Sequence, residues 1–199
     1  GQREMREDPT MRTRIEDHII DICQATDRNT MVFFRSYEML RSMRGRIEEN
    51  VDRPLYWEEA GSSRRLASSI QAFKKGRGGV FFTVMGGKVA EGLDFPGQEL
   101  DIAVVVGLPY PPPSLPLEEL RRRYDRMYGP GRGWEYSSAV PAVRKVQQAV
   151  GRLIRTETDK GVAIILDNRI SRYREQIGAR PSDDLVKDIV GFLGWSKRF

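Results

Sequence analysis

Residues 80–107 read VFFTVMGGKVAEGLDFPGQELDIAVVVG. The runs at its two ends, VFFTV (80–84) and IAVVVG (102–107), are apolar almost without interruption. A strand with one wet face alternates polar and apolar residues. A strand that is apolar throughout is buried on both faces, as in a parallel sheet covered by helices on each side. TMVFF (30–34) and VAIIL (162–166) have the same character, and RPLYW (53–57) is a shorter candidate. Helical period fills the gaps: Met11, Ile15, Ile19 and Ile22; Met39, Met43 and Ile47; Leu66, Ile70 and Phe73; Leu185, Ile189 and Leu193. Strand and helix alternate along the chain with no internal repeat, which predicts an open α/β sheet. Ligands of such sheets bind beyond the carboxyl ends of the strands. The loops after Phe34, Val84 and Gly107, and the segment around Arg155, are therefore the places to look for chemistry.

The chain has 199 residues, enough for one domain with a full core. Hydrophobic residues make up 39% and charged residues 31%, an ordinary balance for a folded chain. Lys and Arg number 33 against 28 Asp and Glu, a net charge of +5, which is compatible with a polyanionic partner. Cys23 is the single cysteine, so an intrachain disulfide and a Cys-ligated zinc or iron–sulfur centre within this chain are excluded. It reads as a small buried thiol. No apolar stretch approaches membrane-spanning length and no secretory segment opens the chain, so an intracellular protein is expected. Residues 1–13 are charged, carry Pro9 and read as a frayed leader, with the domain over 14–199. PYPPPSLP (109–116) must cross in extended form. An arginine-dense helix (about 116–128) and a loop, YGPGRGWEYSS (128–138), follow it.

Two phosphate-binding patterns fail. GGK (86–88) has Phe82 and Val89 where a phosphate-cradling loop needs a Gly and a Ser or Thr. GRGGVF has Phe81 in place of the last glycine of the dinucleotide pattern. His18 has no partner histidine, and neither a complete nucleophilic triad nor a metal site is legible. The better lead is a helix over 141–155, opened by Pro141. Ala142, Val146, Ala149 and Leu153 share its sheet-facing side. Lys145, Gln148, Arg152 and Arg155 line a flank within roughly a quarter-turn of each other. That row is either a solvated basic face or a phosphate-reading edge, since planar guanidinium groups suit a phosphoryl group in transfer. Gly151, costly inside a helix, suggests close approach of another backbone or a ligand. The loop MGGKVAEGLDFPG (85–97) could present backbone N–H groups to an anion, with Glu91 and Asp94 accepting from hydroxyls, or it could be a tight turn with solvated acids.

Three segments together resemble the C-terminal motor domain of superfamily 2 helicases, and specifically the XPD-like group of iron–sulfur DNA helicases. VFFRSYEML (32–40) resembles motif IV, the stretch 85–97 resembles motif V, and QAVGRLIRTETDKGVAIILDNR (148–169) carries the likeness to motif VI, which is set at 147–156. The likeness runs from about residue 30 to 170. It implies a RecA-like three-layer α/β/α domain with a mostly parallel sheet. It further implies that Arg152 and Arg155 reach the phosphates of ATP held with magnesium on a first motor domain, Arg155 as the arginine finger and Gln148 as a polar sensor. By the same resemblance Glu91, Gly92 and Asp94 couple nucleotide to DNA, and Arg35, Ser36, Tyr37 and Lys88 lie near single-stranded DNA. A 5′–3′ polarity, a role in DNA repair such as nucleotide excision repair, docking to repair-complex proteins, and a nuclear or nucleoid location also come from it alone. The first motor domain and its four-cysteine cluster are missing from the 199 residues. The resemblance therefore implies an excised second motor domain, inactive alone, with the iron–sulfur cluster elsewhere in the parent. The alternative reading is a non-catalytic module with a RecA-like fold that binds nucleic acid or docks a protein.

Overall fold

The computed structural model of the protein describes residues 9–59, 63–89, 100–151 and 161–196. Five parallel strands form its centre: β1 (Thr30–Phe34), β2 (Leu55–Trp57), β3 (Val80–Val84), β4 (Ile102–Val106) and β5 (Val162–Leu166). Their order across the sheet is β2-β3-β1-β4-β5. Every residue of β1, β3 and β4 is buried, as the sequence predicts. In β5, at the end of the strand order, only Ile164 is buried and Ala163 is exposed, because an edge strand is covered less completely. VAIIL is therefore not buried on both faces. Thr30 lies opposite both Val80 and Ile102, and Ile102 lies opposite Val162, so the strands begin level and end level.

The longer helices among the described residues are α1 (Pro9–Ala25), α2 (Tyr37–Asn50), α3 (Ser63–Lys75), α4 (Leu115–Tyr128), α5 (Val140–Val150) and α6 (Leu185–Ser196). Alternate strand residues feed two cores. Val32, Phe34, Phe82, Val104 and Val106 pack with α1, α2 and α6, while Met31, Phe33, Phe81, Ala103 and Val105 pack with α3 and α5. This is the three-layer α/β/α arrangement that the sequence predicts. Helix α1 covers Pro9–Ala25, so it is helical two residues ahead of the periodic Met11. Residues 9–13 of the expected leader are thus helical. Cys23 is buried, and burial pushes its thiol up to about 11 against a small opposing pull from Arg53. Among the described residues no helix is long and apolar enough to cross a membrane.

Two readings change on the structure. The stretch read as a loop is largely helical: Arg132–Trp134 form a helical turn and Glu135–Ala139 a π-helical segment running straight into α5. Gly133 serves a close approach, whereas Gly129 and Gly131 have open space around them and take positive φ, +101° and +85°. A Cβ on Gly133 would stand 2.1 Å from the Arg121 carbonyl oxygen of α4, and the Gly133 N–H donates to Asp125 at 2.8 Å. Gly151 is the C-cap of α5, not an interior residue, and donates to the Gln147 carbonyl at 2.8 Å. The atoms nearest a Cβ there are carbonyl oxygens of its own helix, Gln147 at 3.0 Å and Gln148 at 3.8 Å. Its backbone is right-handed, φ −62° and ψ −9°, and residues 152–160, which follow it, lie outside the described residues.

The edge strand β2 is held by Trp57, stacked on Phe82 with centroids 3.9 Å apart, and Phe82 in turn stacks on Phe34. Phe82→Ala should cost about 3–5 kcal/mol. The check is urea unfolding followed by circular dichroism, with a lower midpoint and an unchanged slope.

Candidate functional site

The chain leaving β1 travels toward β2 on one side of the sheet; the chain leaving β4 travels toward β5 on the other. The strand order reverses between β1 and β4, and that is where an open α/β sheet forms its crevice. Arg35 follows β1 at this point and Gly107 follows β4. Gly107 has φ +79°, and an added Cβ would come within 3.3 Å of the Arg35 side chain. A positive φ and the neighbouring arginine stem both select glycine here.

On the side of β2, β3 and β1, the edge is organised by Glu58, which is only 2% exposed. It accepts from the Tyr37 hydroxyl at 2.7 Å, from the Thr83 hydroxyl, and from the backbone N–H groups of Val84 at 3.3 Å and Lys88 at 3.1 Å. The Tyr37 hydroxyl is pushed up to about 12, first by burial and then by its bond to the Glu58 carboxylate and that group's charge, so it remains a donor. On the side of β4 and β5, Asp167 plays the matching part. It accepts from the Leu108 N–H at 2.7 Å and from the Arg169 backbone and guanidinium. Burial works against this carboxylate, but the Arg169 and Leu108 donors outweigh it and hold Asp167 below the ordinary carboxylate range. Arg169 also lies over the Tyr110 ring, 5.0 Å from its centroid, and Tyr110 packs on Trp134.

The structure brings the described motif IV and motif V residues to one place. Arg35, Ser36 and Tyr37 follow β1, and Lys88 lies in a helical turn shortly after the adjacent β3. The Ser36 side chain caps α2 by accepting from the Met39 N–H at 3.2 Å, and Lys88 is exposed. Gln148 is exposed on α5, with Ala142, Val146 and Ala149 buried on the opposite side. Glu91, Gly92, Asp94, Leu153 and the two arginines, Arg152 and Arg155, lie outside the described residues. Sequence reasoning missed Glu58, Asp167 and Arg169. Asp167 and Arg169 were within reach of it, because an acid directly after an apolar strand can accept the backbone N–H two residues on in an Asx-type turn, and the residue there is basic.

A cleft of about 660 Å³ lies at the opposite edge, lined by Cys23, Arg28, Asp52, Arg53, Val190 and Leu193 among others. Arg53 is spent there on the carbonyls of Cys23, Arg28 and Gly78. The concavity is accordingly part of the fold's lower seam and not a candidate site.

A parallel RecA-like sheet with two motif-bearing loops at its carboxyl edge defines a helicase-type motor domain. Residues 19–182 match the family described as helicase C-terminal domain, and the chain belongs to that family. Its similarity is to XPD-like members. It is 30% identical over 191 residues to a regulator of telomere elongation helicase 1 homolog of Aedes aegypti, covering 86% of this chain and 18% of that protein. The Drosophila melanogaster homolog is 29% identical over 206 residues, covering 95% and 20%. A solved XPD helicase superimposes with a TM-score of 0.69 at 28% identity, over 89% of this chain and 32% of that one. The S. tokodaii Xpd4 structure shares the fold at 23% identity and a TM-score of 0.60. The chain thus spans about a fifth of the curated relatives it matches and about a third of the solved XPD helicase.

A group whose carboxyl is held low in the folded state adds stability above its unfolded pKa, and that stability is lost as the pH falls through the folded value. Asp167→Asn should therefore be about 1–3 kcal/mol less stable than the wild type at pH 7. The gap should close as the pH drops below the ordinary carboxylate range of about 4. Denaturant unfolding at a series of pH values checks this.

Proposed function

We propose that this domain is the second motor domain of an ATP-dependent, 5′–3′ DNA helicase of the XPD type. The observation that carries the reading is the family match over residues 19–182. It is supported by a fold that sets the motif IV and motif V loops on adjacent strands. In this reading Arg152 and Arg155 supply positive charge to the phosphates of ATP held with magnesium by the first motor domain of the parent chain. Charge stabilisation by such an arginine is worth on the order of a thousandfold or more in rate. Gln148 senses the nucleotide, and Glu91, Gly92 and Asp94 link it to the DNA. Arg35, Ser36, Tyr37 and Lys88 grip the phosphate backbone of a single strand, aided by the amino end of α2. Cleft closure on ATP and opening on hydrolysis would then convert alternating grip into movement.

The residues present do not fit an iron–sulfur cluster, since the one cysteine is buried with its thiol held protonated. A cluster in the parent would be held by other cysteines. DNA repair, including nucleotide excision repair, is the process proposed. The names of the insect relatives point to telomere maintenance as a second process for the same motor. Docking to repair-complex proteins and a nuclear or nucleoid site of action follow from the same reading.

Arg155→Ala in the full-length parent should reduce DNA-stimulated ATP hydrolysis by about a hundredfold or more while ATP binding and folding persist. An unchanged rate would return this arginine to a merely basic surface. The isolated 199-residue chain should turn over no ATP and should bind single-stranded DNA weakly, with affinity falling steeply as salt rises.

A further inference from the structure

Four donors converge on the Glu58 carboxylate, two on each oxygen. Oε1 accepts from the Tyr37 hydroxyl and the Lys88 N–H; Oε2 accepts from the Thr83 hydroxyl and the Val84 N–H. An ionised carboxylate is an acceptor only, with about four lone-pair sites, so donors and acceptors match one to one. The fit is close as well as complete. A Cβ on Gly87 would stand 2.8 and 2.9 Å from the two carboxylate oxygens, so the loop passes over Glu58 only because residue 87 has no side chain. These donors belong to α2, which opens within motif IV, to the end of β3 (Thr83 and Val84), and to Lys88 in the first residues of motif V. Glu58 itself belongs to none of these and stands immediately after β2.

We infer that Glu58 is a positioning residue that ties the end of β3 and the first residues of motif V, up to Lys88, to the start of α2, so that these segments move as one body. This rests on the helicase reading above, in which one segment contacts DNA and the other links DNA to nucleotide. Charge and geometry are both required. In Glu58→Gln the amide nitrogen, whichever way it is turned, faces two donors. A hydroxyl can rotate to accept from it, but the backbone N–H of Lys88 or Val84 cannot and loses its partner. Burial makes that loss costly.

The test uses the full-length parent. Glu58→Gln should speed amide hydrogen exchange at Val84 and Lys88 by about tenfold or more. It should also lower the ratio of DNA-stimulated to unstimulated ATP turnover by about tenfold. A residue that only stabilises the fold would lower the thermal midpoint and scale both turnover rates together, leaving the ratio as it was. Tyr37→Phe removes one donor and keeps the ring, and should lower the ratio by roughly threefold. Wild-type exchange at these amides in Glu58→Gln overturns the inference, as does faster exchange with an unchanged ratio. If Glu58→Gln fails to fold, an unchanged ratio in Tyr37→Phe overturns it instead. The exchange measurement reports on the clasp whether or not the parent is a helicase, whereas Arg155→Ala reports on the helicase reading without involving Glu58. A wild-type parent showing no DNA stimulation would remove the coupling role along with that reading.

Discussion

The structure depends on one constraint: β1 is paired in register on both sides, with β3 and with β4, and is buried on both faces. A parallel strand in that position must be covered above and below, so two helical layers are obligatory and the chain must cross over the sheet between strands. With both faces closed, polar chemistry is confined to the strand ends. The level register sharpens this by bringing the carboxyl ends of β3, β1 and β4 to one height. Loops that are distant in sequence then share a single edge.

That edge has two halves. Glu58 fastens the ends of β2, β3 and β1, and Asp167 fastens the ends of β4 and β5. Each uses a buried carboxylate to satisfy backbone N–H groups that have left the sheet ladder and would otherwise be costly to bury. The halves meet where Arg35 lies against Gly107, at the reversal of strand order. The two carboxylates thus divide the carboxyl edge between them, while the β1–β4 ladder runs unbroken beneath the boundary.

Membership of the helicase C-terminal family fits this arrangement, a parallel sheet with its motif-bearing segments at the carboxyl edge. The aromatic group of Tyr124, Tyr128 and Tyr136 is a separate feature. It joins the π-helical segment to α4, a helix with no buried residue, and so supports a part of the chain that projects from the sheet. Its rings explain why a glycine-rich stretch is helical: they hold the backbone together while Gly133 permits the close approach of α4.

The strands were legible in the sequence because burial on both faces leaves a composition that few other elements share, as in VFFTV and IAVVV. The sheet-facing side of α5 was legible too, through the spacing of Ala142, Val146 and Ala149. The 128–138 stretch was misread, and Gly151 was placed inside a helix that it caps, because a glycine carries the same letter whether it ends a helix, admits a neighbouring backbone or opens a loop. Glu58 was invisible for a different reason. In YWEEA two adjacent acids look alike, yet Glu58 is buried among donors 21 to 30 residues away while Glu59 is exposed. Local pattern, by itself, determined the elements, the layers and the family motifs, because periodicity and apolar runs are properties of neighbours along the chain. Only the tertiary structure decided which carboxylates organise the edge and where its halves meet, because those depend on hydrogen-bond donors that strand order, not sequence, brings within three ångströms or so.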